Sequence, residues 1–295
     1  MPTFYDKANA QYRDTVFRDY FNNEHRLLSL CNAILETNYT DEKELEINTL
    51  EGNFFSNQKN DVSCLLRDNY LVMIEHQSTR NSNMPFRFFS YVYQLFNNMV
   101  DNRDNVYLDV DITFPDPQFY VFYDGDNKEP LEREIKFSDA FRGNAGRLEL
   151  IVTLYNINYE LNQPLLEKCS YLNDYSRLVG KVKRGLKSGL TRRQAIVSAI
   201  EWCIKNNVMS DYLPKKKDEV FGMLDWQWNM DEAQTAWENK AREEYEKGLK
   251  LGLERGRMEG IKNIIINMLN NGKTVEEIHK ETNLPIQSII ELSQI

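Results

Sequence analysis

The sequence is short of the residues that zinc sites and disulfide frameworks need. It has four cysteines, none of them in a Cys-x-x-Cys pair, and three scattered histidines. Structural zinc draws its ligands from closely spaced Cys and His, and disulfide scaffolds need a dense cysteine pattern. We therefore expect neither class. Any bound metal should have oxygen ligands, and such cysteine usage fits a reducing cytoplasm.

Long apolar runs and a recognisable signal peptide are missing too. No apolar stretch approaches the ~20 residues that a membrane helix requires. The first seven residues lack the basic and apolar regions of a signal peptide. We expect a cytoplasmic protein without membrane contact. With 295 residues and 41% hydrophobic content, the chain can form one large or two ordinary domains.

The net charge of −9 opposes binding to nucleic acid, but the charge is unevenly distributed. Residues 177–200 contain seven basic side chains and no acidic one. A basic stretch within an acidic protein can contact phosphate, although a solvated helix face has the same pattern. The candidate DNA contacts in this stretch are Lys181, Lys183, Arg184 and Lys187.

Two acidic residues lie symmetrically about a predicted turn. Residues 60–66 and 70–77 have strand-like composition, and residues 67–69 are typical of a turn. A hairpin turning about Asp68 places Asp61 opposite Glu75, where Cβ atoms are about 4.5–5.5 Å apart and like charges repel. Both strands are apolar around the acids, so the pair should be buried. A shared proton or a cation is then required, and a hard divalent metal meets the need.

The remaining pattern predicts an α/β fold with a mixed sheet flanked by helices, followed by an all-helical region. The further predicted strands are 45–50, 118–123 and 148–158. The predicted helices are two within 9–36, then 85–100, 172–187, 192–207 and 216–269, the last interrupted near 226–228. We expect three regions: a core at 1–160, a helical region with the basic stretch at 161–240, and a tail at 241–295.

The tail has two features of its own. Gly248, Gly252, Gly256 and Gly260 recur every four residues, and each costs a helix about 1 kcal/mol relative to Ala. This favours a helix that pairs with a partner, such as a second copy, with a frayed linker helix as the alternative. Residues 274–290 resemble a helix-turn-helix. The second helix lacks Lys and Arg, so a docking or dimer element is the better interpretation.

The chemistry predicted for the hairpin is metal-assisted hydrolysis. Asp61, Glu75 and Gln77 share one sheet face, because opposed and alternate positions point the same way. A Mg²⁺ ion bridging the two acids would bind a phosphoryl oxygen and activate water. The backbone carbonyl of His76 is a candidate third ligand, while its side chain should face the opposite side of the sheet. Gln77 would orient the water.

The pattern Asp61, Glu75-x-Gln77 resembles the PD-(D/E)XK nuclease fold. Sequence around it is similar to the Rpn family of recombination-promoting nucleases, often labelled PD-(D/E)XK family transposases. The segments that carry this similarity are 59–63, 74–79, 84–87, 119–123, 148–158, 225–228 and the glycine-repeat tail. The resemblance implies a restriction-endonuclease-like mixed sheet and a bacterial, Mg²⁺-dependent DNA endonuclease linked to recombination or mobile elements, with Mn²⁺ as an alternative metal.

The resemblance also implies roles for residues outside the hairpin. The usual third motif residue is lysine, and Lys59 is a candidate substitute for it. An acid on the first helix corresponds best to Asp14, with rivals at positions 19 and 24. Arg87, just after the motif, is a candidate phosphate contact or a surface arginine.

Two other functions stay open from the sequence alone. The protein could be a non-catalytic interaction protein that keeps the nuclease scaffold and recruits partners through its helical tail. Gln77, the overall acidity and the glycine-repeat helix favour that interpretation. The other possibility is a nuclease that acts on RNA, because only the family resemblance favours DNA over RNA as the substrate.

Overall fold

Six strands form one mixed sheet in the computed structural model, which describes residues 16–48, 61–100, 103–126, 128–143 and 147–293. The strands are β1 (Leu45–Ile47), β2 (Val62–Leu66), β3 (Tyr70–Gln77), β4 (Asp116–Tyr123), β5 (Glu132–Lys136) and β6 (Ile151–Asn156). Their order across the sheet is β1-β2-β3-β4-β6-β5. β3, β4 and β6 are parallel, and the other pairs are antiparallel. The predicted α/β class and mixed sheet are confirmed, with β5 as an unpredicted edge strand.

Helices cover both faces of this sheet and continue after it. They are α1 (Val16–Phe21), α2 (Glu24–Leu35), α3 (Met84–Met99), α4 (Pro164–Lys168), α5 (Ser170–Lys187), α6 (Arg192–Lys205), α7 (Leu213–Asn270), α8 (Val275–Thr282) and α9 (Ile286–Ser293). The break predicted near residues 226–228 is wrong, because non-helical dihedral angles within α7 occur at Lys216 instead. In the described parts of the chain, no helix combines the length and apolarity needed to cross a membrane.

The two faces of β3 belong to two different cores. Leu71 and Met73 pack with α3 in one cluster of buried residues. Val72 and Ile74 point the other way, into a larger cluster that α1, α2, α4, α5, α6 and the beginning of α7 complete. This alternation is the period-2 geometry of a strand buried on both sides. Helices α5 and α6 therefore share a core with the sheet.

The chain divides into two compact units, residues 1–231 and residues 232–295. The second has its own small core around Ile265, Ile278 and Ile289. The capping box predicted there is present, since the Thr274 and Glu277 side chains each accept a hydrogen bond from the other's backbone N–H. The region boundaries at residues 160 and 240 stay predictions.

The β2–β3 hairpin turns where the sequence predicts. Arg67 and Asp68 have φ angles of 50° and 55°, and the backbone N–H of Asn69 donates to the carbonyl of Leu66 at 3.0 Å. Two consecutive central residues with positive φ angles define a type I′ turn, the mirror image of type I. The twist of this turn matches that of antiparallel strands. This turn fixes the register in which Val62 pairs with Ile74.

Candidate active site

The hairpin register brings the two predicted acids together. Val62 opposite Ile74 continues by one residue to Asp61 opposite Glu75. The backbone N–H of His76 donates to Oδ2 of Asp61 at 2.7 Å, which ties this carboxylate to the end of β3. Burial raises the pKa of Asp61, although that hydrogen bond and the charges of His76 and Arg87 oppose the rise. The geometry expected from the sequence is therefore present.

Glu75 is more deeply buried, with 2% of its surface exposed. Its Oε2 accepts from Nη2 of Arg87 at 2.8 Å, while Oε1 is buried without a hydrogen-bond partner among the described residues. Burial and then the charge of Asp61 raise the pKa of Glu75 well above its usual value, against the opposing charge of Arg87. Glu75 thus carries a carboxylate oxygen whose desolvation is not compensated.

Arg87 connects the two motif residues on β3. When the Gln77 amide is oriented to satisfy both of its polar atoms, its oxygen accepts from Nη1 of Arg87 at 2.9 Å and its nitrogen donates to the carbonyl of Thr79 at 3.3 Å. The guanidinium also donates to the hydroxyl of Tyr91, one turn further along α3. Pro85 lies in the first turn of α3, as predicted. The helix thereby directs Arg87 at the Glu75 face.

His76 faces the opposite side of the sheet, as strand alternation requires. Its Nε2 lies 3.0 Å from Oδ2 of Asp124 and 3.2 Å from the hydroxyl of Tyr175, and Phe17 stacks on its ring. Burial lowers the pKa of His76, but the charge and hydrogen bond of Asp124 outweigh burial and raise it. Burial likewise raises the pKa of Asp124, and His76 and Lys183 outweigh that effect and lower it. The two side chains form a buried contact that is an ion pair when His76 is protonated.

The contact of His76 with Asp124 fixes the backbone that carries Glu75 and Gln77. The N–H and C=O of one strand residue point to the same neighbour, so the His76 carbonyl faces the side on which its N–H meets Asp61. That direction suits its predicted role as a third oxygen ligand. Among the described residues, no group of three His, Cys, Asp or Glu side chains could hold a metal. The donors at hand are two carboxylates and a carbonyl.

Those donors fit a hard divalent cation. Oxygen ligands are what Mg²⁺ and Mn²⁺ prefer, and Mg²⁺ sites commonly use only one or two protein carboxylates. The buried Oε1 of Glu75, without a partner among the described residues, is the observation that supports the fit. Arg87 already supplies one cation to Glu75, so a bound ion would share this carboxylate with the guanidinium.

The four predicted DNA contacts divide into two groups. Lys181 lies over the Trp202 ring, 3.8 Å from its centroid, and packs against α6. Lys183, Arg184 and Lys187 line a cavity beside the loops that follow β4 and β6. Three of the four residues therefore line one cavity, and all four stay predictions as DNA contacts.

Asp14 and Lys59 lie outside the described residues. The rivals to Asp14 are described: Asp19 binds the Tyr212 hydroxyl at 2.6 Å and Lys216 Nζ at 2.8 Å, and Glu24 is exposed in the first turn of α2. Asp19 therefore ties α1 to α7.

Sequence reasoning missed Asp124, Tyr175 and Asp231. Burial raises the pKa of Asp231, against a hydrogen bond from Ser78 and the charge of His76, so it lies in the same polar network. The one usable signal was Asp124, an acidic residue directly after a buried strand and before Gly125. The other two are contributed by helices about 100 and 155 residues after β3 in sequence, where no local pattern marks them.

Comparison with known proteins identifies no relative: no family model, no curated protein and no solved structure matches this chain.

Proposed function

We propose that this protein is a Mg²⁺-dependent endonuclease that hydrolyses phosphodiester bonds in DNA, built on a PD-(D/E)XK-type sheet. The observation that carries the proposal is the pair of partly buried Asp61 and buried Glu75 at the end of the hairpin, with Oε1 of Glu75 lacking a partner among the described residues. Two facing acids in an apolar setting are costly without a cation. Their resemblance to the Rpn nuclease motif supplies the substrate class and the link to recombination.

Each described motif residue then has a role. Asp61 and Glu75, with the His76 carbonyl, would hold the ion. When bound, a divalent ion polarises a phosphoryl oxygen and lowers the pKa of water. Gln77 donates or accepts a hydrogen bond to orient the attacking water, but its neutral amide adds no charge. Buried Glu75, whose pKa is raised, holds a proton more readily than an exposed glutamate when no cation is present.

Arg87 supplies the positive charge that Gln77 lacks. Its guanidinium contacts Glu75 and Gln77 from α3, and its side chain is still 37% exposed. A planar guanidinium that is fixed by one carboxylate and reaches solvent can make a second contact to a phosphate oxygen. We assign Arg87 to positioning the scissile phosphate against the two acids.

The contact between Arg87 and Glu75 also favours a second candidate function. Because Arg87 compensates Glu75 within the chain, the opposed acids persist without any metal, as they would in a non-catalytic interaction protein. In the unit at residues 232–295, several large apolar side chains are exposed, which suits partner binding. They include Trp237, Tyr245, Leu249, Leu253 and Met258.

Calorimetric titration of Mg²⁺ and Mn²⁺, paired with nicking of supercoiled plasmid, separates the two functions. For the nuclease, wild type binds metal and nicks DNA, and Glu75→Gln loses both. Cleavage of a labelled RNA under the same conditions decides between the nucleic acids. If the wild type binds metal but does not nick DNA, the next variant to test is Gln77→Lys, which restores the usual motif lysine. No metal binding in wild type would reject the nuclease in favour of the interaction protein.

A further inference from the structure

A polar cavity of about 290 Å³ lies at the carboxyl ends of β4 and β6. Its lining comes from the loop after β4, the loop after β6 and the last turns of α5. β3, β4 and β6 are parallel, so Gln77 ends its strand at this same edge of the sheet. Ligands of open α/β sheets bind in crevices outside the carboxyl ends of the strands. The cavity thus lies where such a sheet places a ligand.

The cavity has an excess of positive charge. Its charged lining residues are Lys128, Lys183, Arg184, Lys187, Asp126, Glu129 and Glu160. Glu129 is already compensated from outside this set, because Arg80 and Arg133 contact its two oxygens at 3.1 and 2.8 Å. Four cations therefore face only two carboxylates that need a partner.

Those two carboxylates have partners within the lining. Glu160 accepts from Arg184 at 3.2 Å, and Asp126 lies 3.9 Å from Lys183. Lys128 and Lys187 have no polar or ionic partner in the described part of the chain, and both side chains are exposed. Two ammonium groups thus remain for an anionic ligand.

The wall of the cavity contains partly buried polar side chains that are held by hydrogen bonds. Lys183, whose side chain is 15% exposed, donates to Oδ1 of Asn158 at 3.1 Å. Asn158 in turn donates to the carbonyl of Gly125 at 2.9 Å. A Cβ at Gly125 would collide with the backbone carbonyl of Ser78, so only glycine allows the loops after β3 and β4 to lie this close. The cavity is therefore held against the end of β3, the strand that carries Glu75.

We infer that this cavity binds the terminal phosphate of a nucleic acid strand. A phosphate monoester carries about −1.5 to −2 charge at pH 7, which two unpaired lysines match better than the single charge of a backbone diester. A concave site of this size admits a strand end, whereas a continuous backbone needs an open groove. That the phosphate belongs to a nucleic acid strand rests on the proposed function. That the cavity binds a phosphate monoester rests on the cavity alone.

The test measures binding without cleavage. The full-length protein is titrated in EDTA, at fixed low salt, into single-stranded oligonucleotides labelled at one end, with either a phosphate or a hydroxyl at the other end. We expect about tenfold tighter binding of the phosphorylated strand, the size of one or two charge-assisted hydrogen bonds. The variant Lys128→Gln/Lys187→Gln should bind both strands alike.

The matched control removes the same charge elsewhere. Lys205 and Lys217 are exposed and line a different cavity, between α6 and the start of α7. Lys205→Gln/Lys217→Gln should weaken both strands equally through the general field and keep the tenfold preference. Equal effects of the two double variants on the preference would overturn the inference.

Inorganic phosphate distinguishes the two sources of the ligand. Competition that abolishes the preference supports a phosphate site that reads strand ends. A thermal shift with inorganic phosphate that needs Lys128 and Lys187, without any preference between strands, supports the phosphate site with a free phosphate compound as its ligand. If inorganic phosphate neither abolishes a strand preference nor gives a thermal shift that needs Lys128 and Lys187, the inference is overturned, even where plasmid nicking succeeds. Phosphate preference in a protein that neither binds metal nor nicks DNA would reject the proposed nuclease and keep this site.

Discussion

The guanidinium of Arg87 donates to only one oxygen of Glu75, at 2.8 Å, and the other oxygen is buried without a hydrogen-bond partner among the described residues. Arg87 therefore compensates this carboxylate only in part, while Asp61 adds a second negative charge opposite it. This arrangement is less stable than a fully satisfied network. The stability of the site is accordingly sensitive to changes in charge.

Asp61→Asn should stabilise the metal-free protein and abolish plasmid nicking. The amide keeps an oxygen for the His76 N–H and removes a buried charge. The pKa of Asp61 is raised in the folded protein. The stability that the protein loses by ionising this group is therefore absent at pH 3.8 and below, and it grows as the pH rises toward the folded pKa. Thermal unfolding in EDTA should show a higher Tm for the variant at pH 7.5. A lower Tm would reject the opposed-acid explanation.

Mg²⁺ should raise the Tm of wild type but not that of Asp61→Asn. A ligand that binds only the folded state stabilises it by about 2.7 kcal/mol at one hundred times its Kd. Thermal scans from zero to 20 mM MgCl₂ measure this, with Ca²⁺ and an ionic-strength control of NaCl. Equal shifts in both proteins would mean that the ion binds elsewhere.

Arg87→Met should destabilise the protein by about 1–3 kcal/mol near pH 8, less than for a fully buried pair because the guanidinium is partly exposed. Glu75 then faces Asp61 without a cation. The loss should shrink as the pH falls through the raised pKa of Glu75, because protonation removes the uncompensated charge. Urea unfolding at pH 5.5 and pH 8 measures it.

Arg184→Met is the control for Arg87→Met, since Arg184 forms an exposed pair with Glu160. We expect a change within about 0.5 kcal/mol at both pH values. A comparable loss in both variants would show that the effect of Arg87→Met comes from lost packing in general.

Asp124→Asn should make the Tm of the protein less dependent on pH at neutral and alkaline pH. His76 has a raised folded pKa, so its contribution is complete below its usual value of 6.5 and is lost as the pH rises through the folded value. Asp124 has a lowered pKa, so its contribution is lost only as the pH falls below 3.8. Wild type should lose Tm from pH 6 to pH 9 more steeply than the variant. NMR titration showing His76 at or below 6.5 would contradict this.

Gly252→Ala and Gly256→Ala should each stabilise α7 by about 0.8–1 kcal/mol. A Cβ at either position meets nothing within 4 Å, so the gain in helix propensity has no steric cost in the single chain. Circular dichroism of the thermal transition measures the gain. Weaker self-association of the double variant in sedimentation velocity would instead support close pairing of this helix with a second copy.

Local sequence was enough for the features that depend on neighbours along the chain. The β2–β3 register follows from two apolar strands around a short polar turn, so the opposition of Asp61 and Glu75 could be read from spacing alone. Pro85 at the start of α3 and the Thr274–Glu277 capping box have equally local causes. Such features are encoded within about twenty residues.

Contacts between groups that are far apart in sequence depend on how separate elements pack together. β5 has a single buried apolar residue, Ile135, and becomes a strand because it pairs with β6 at the sheet edge. The contacts of Arg87 with Glu75 and of His76 with Asp124 and Tyr175 arise where separate elements pack together. Side-chain periodicity states which face a residue occupies, but not which element covers that face. That choice depends on the packing of the whole core, and it determines where each charge of the site finds its partner.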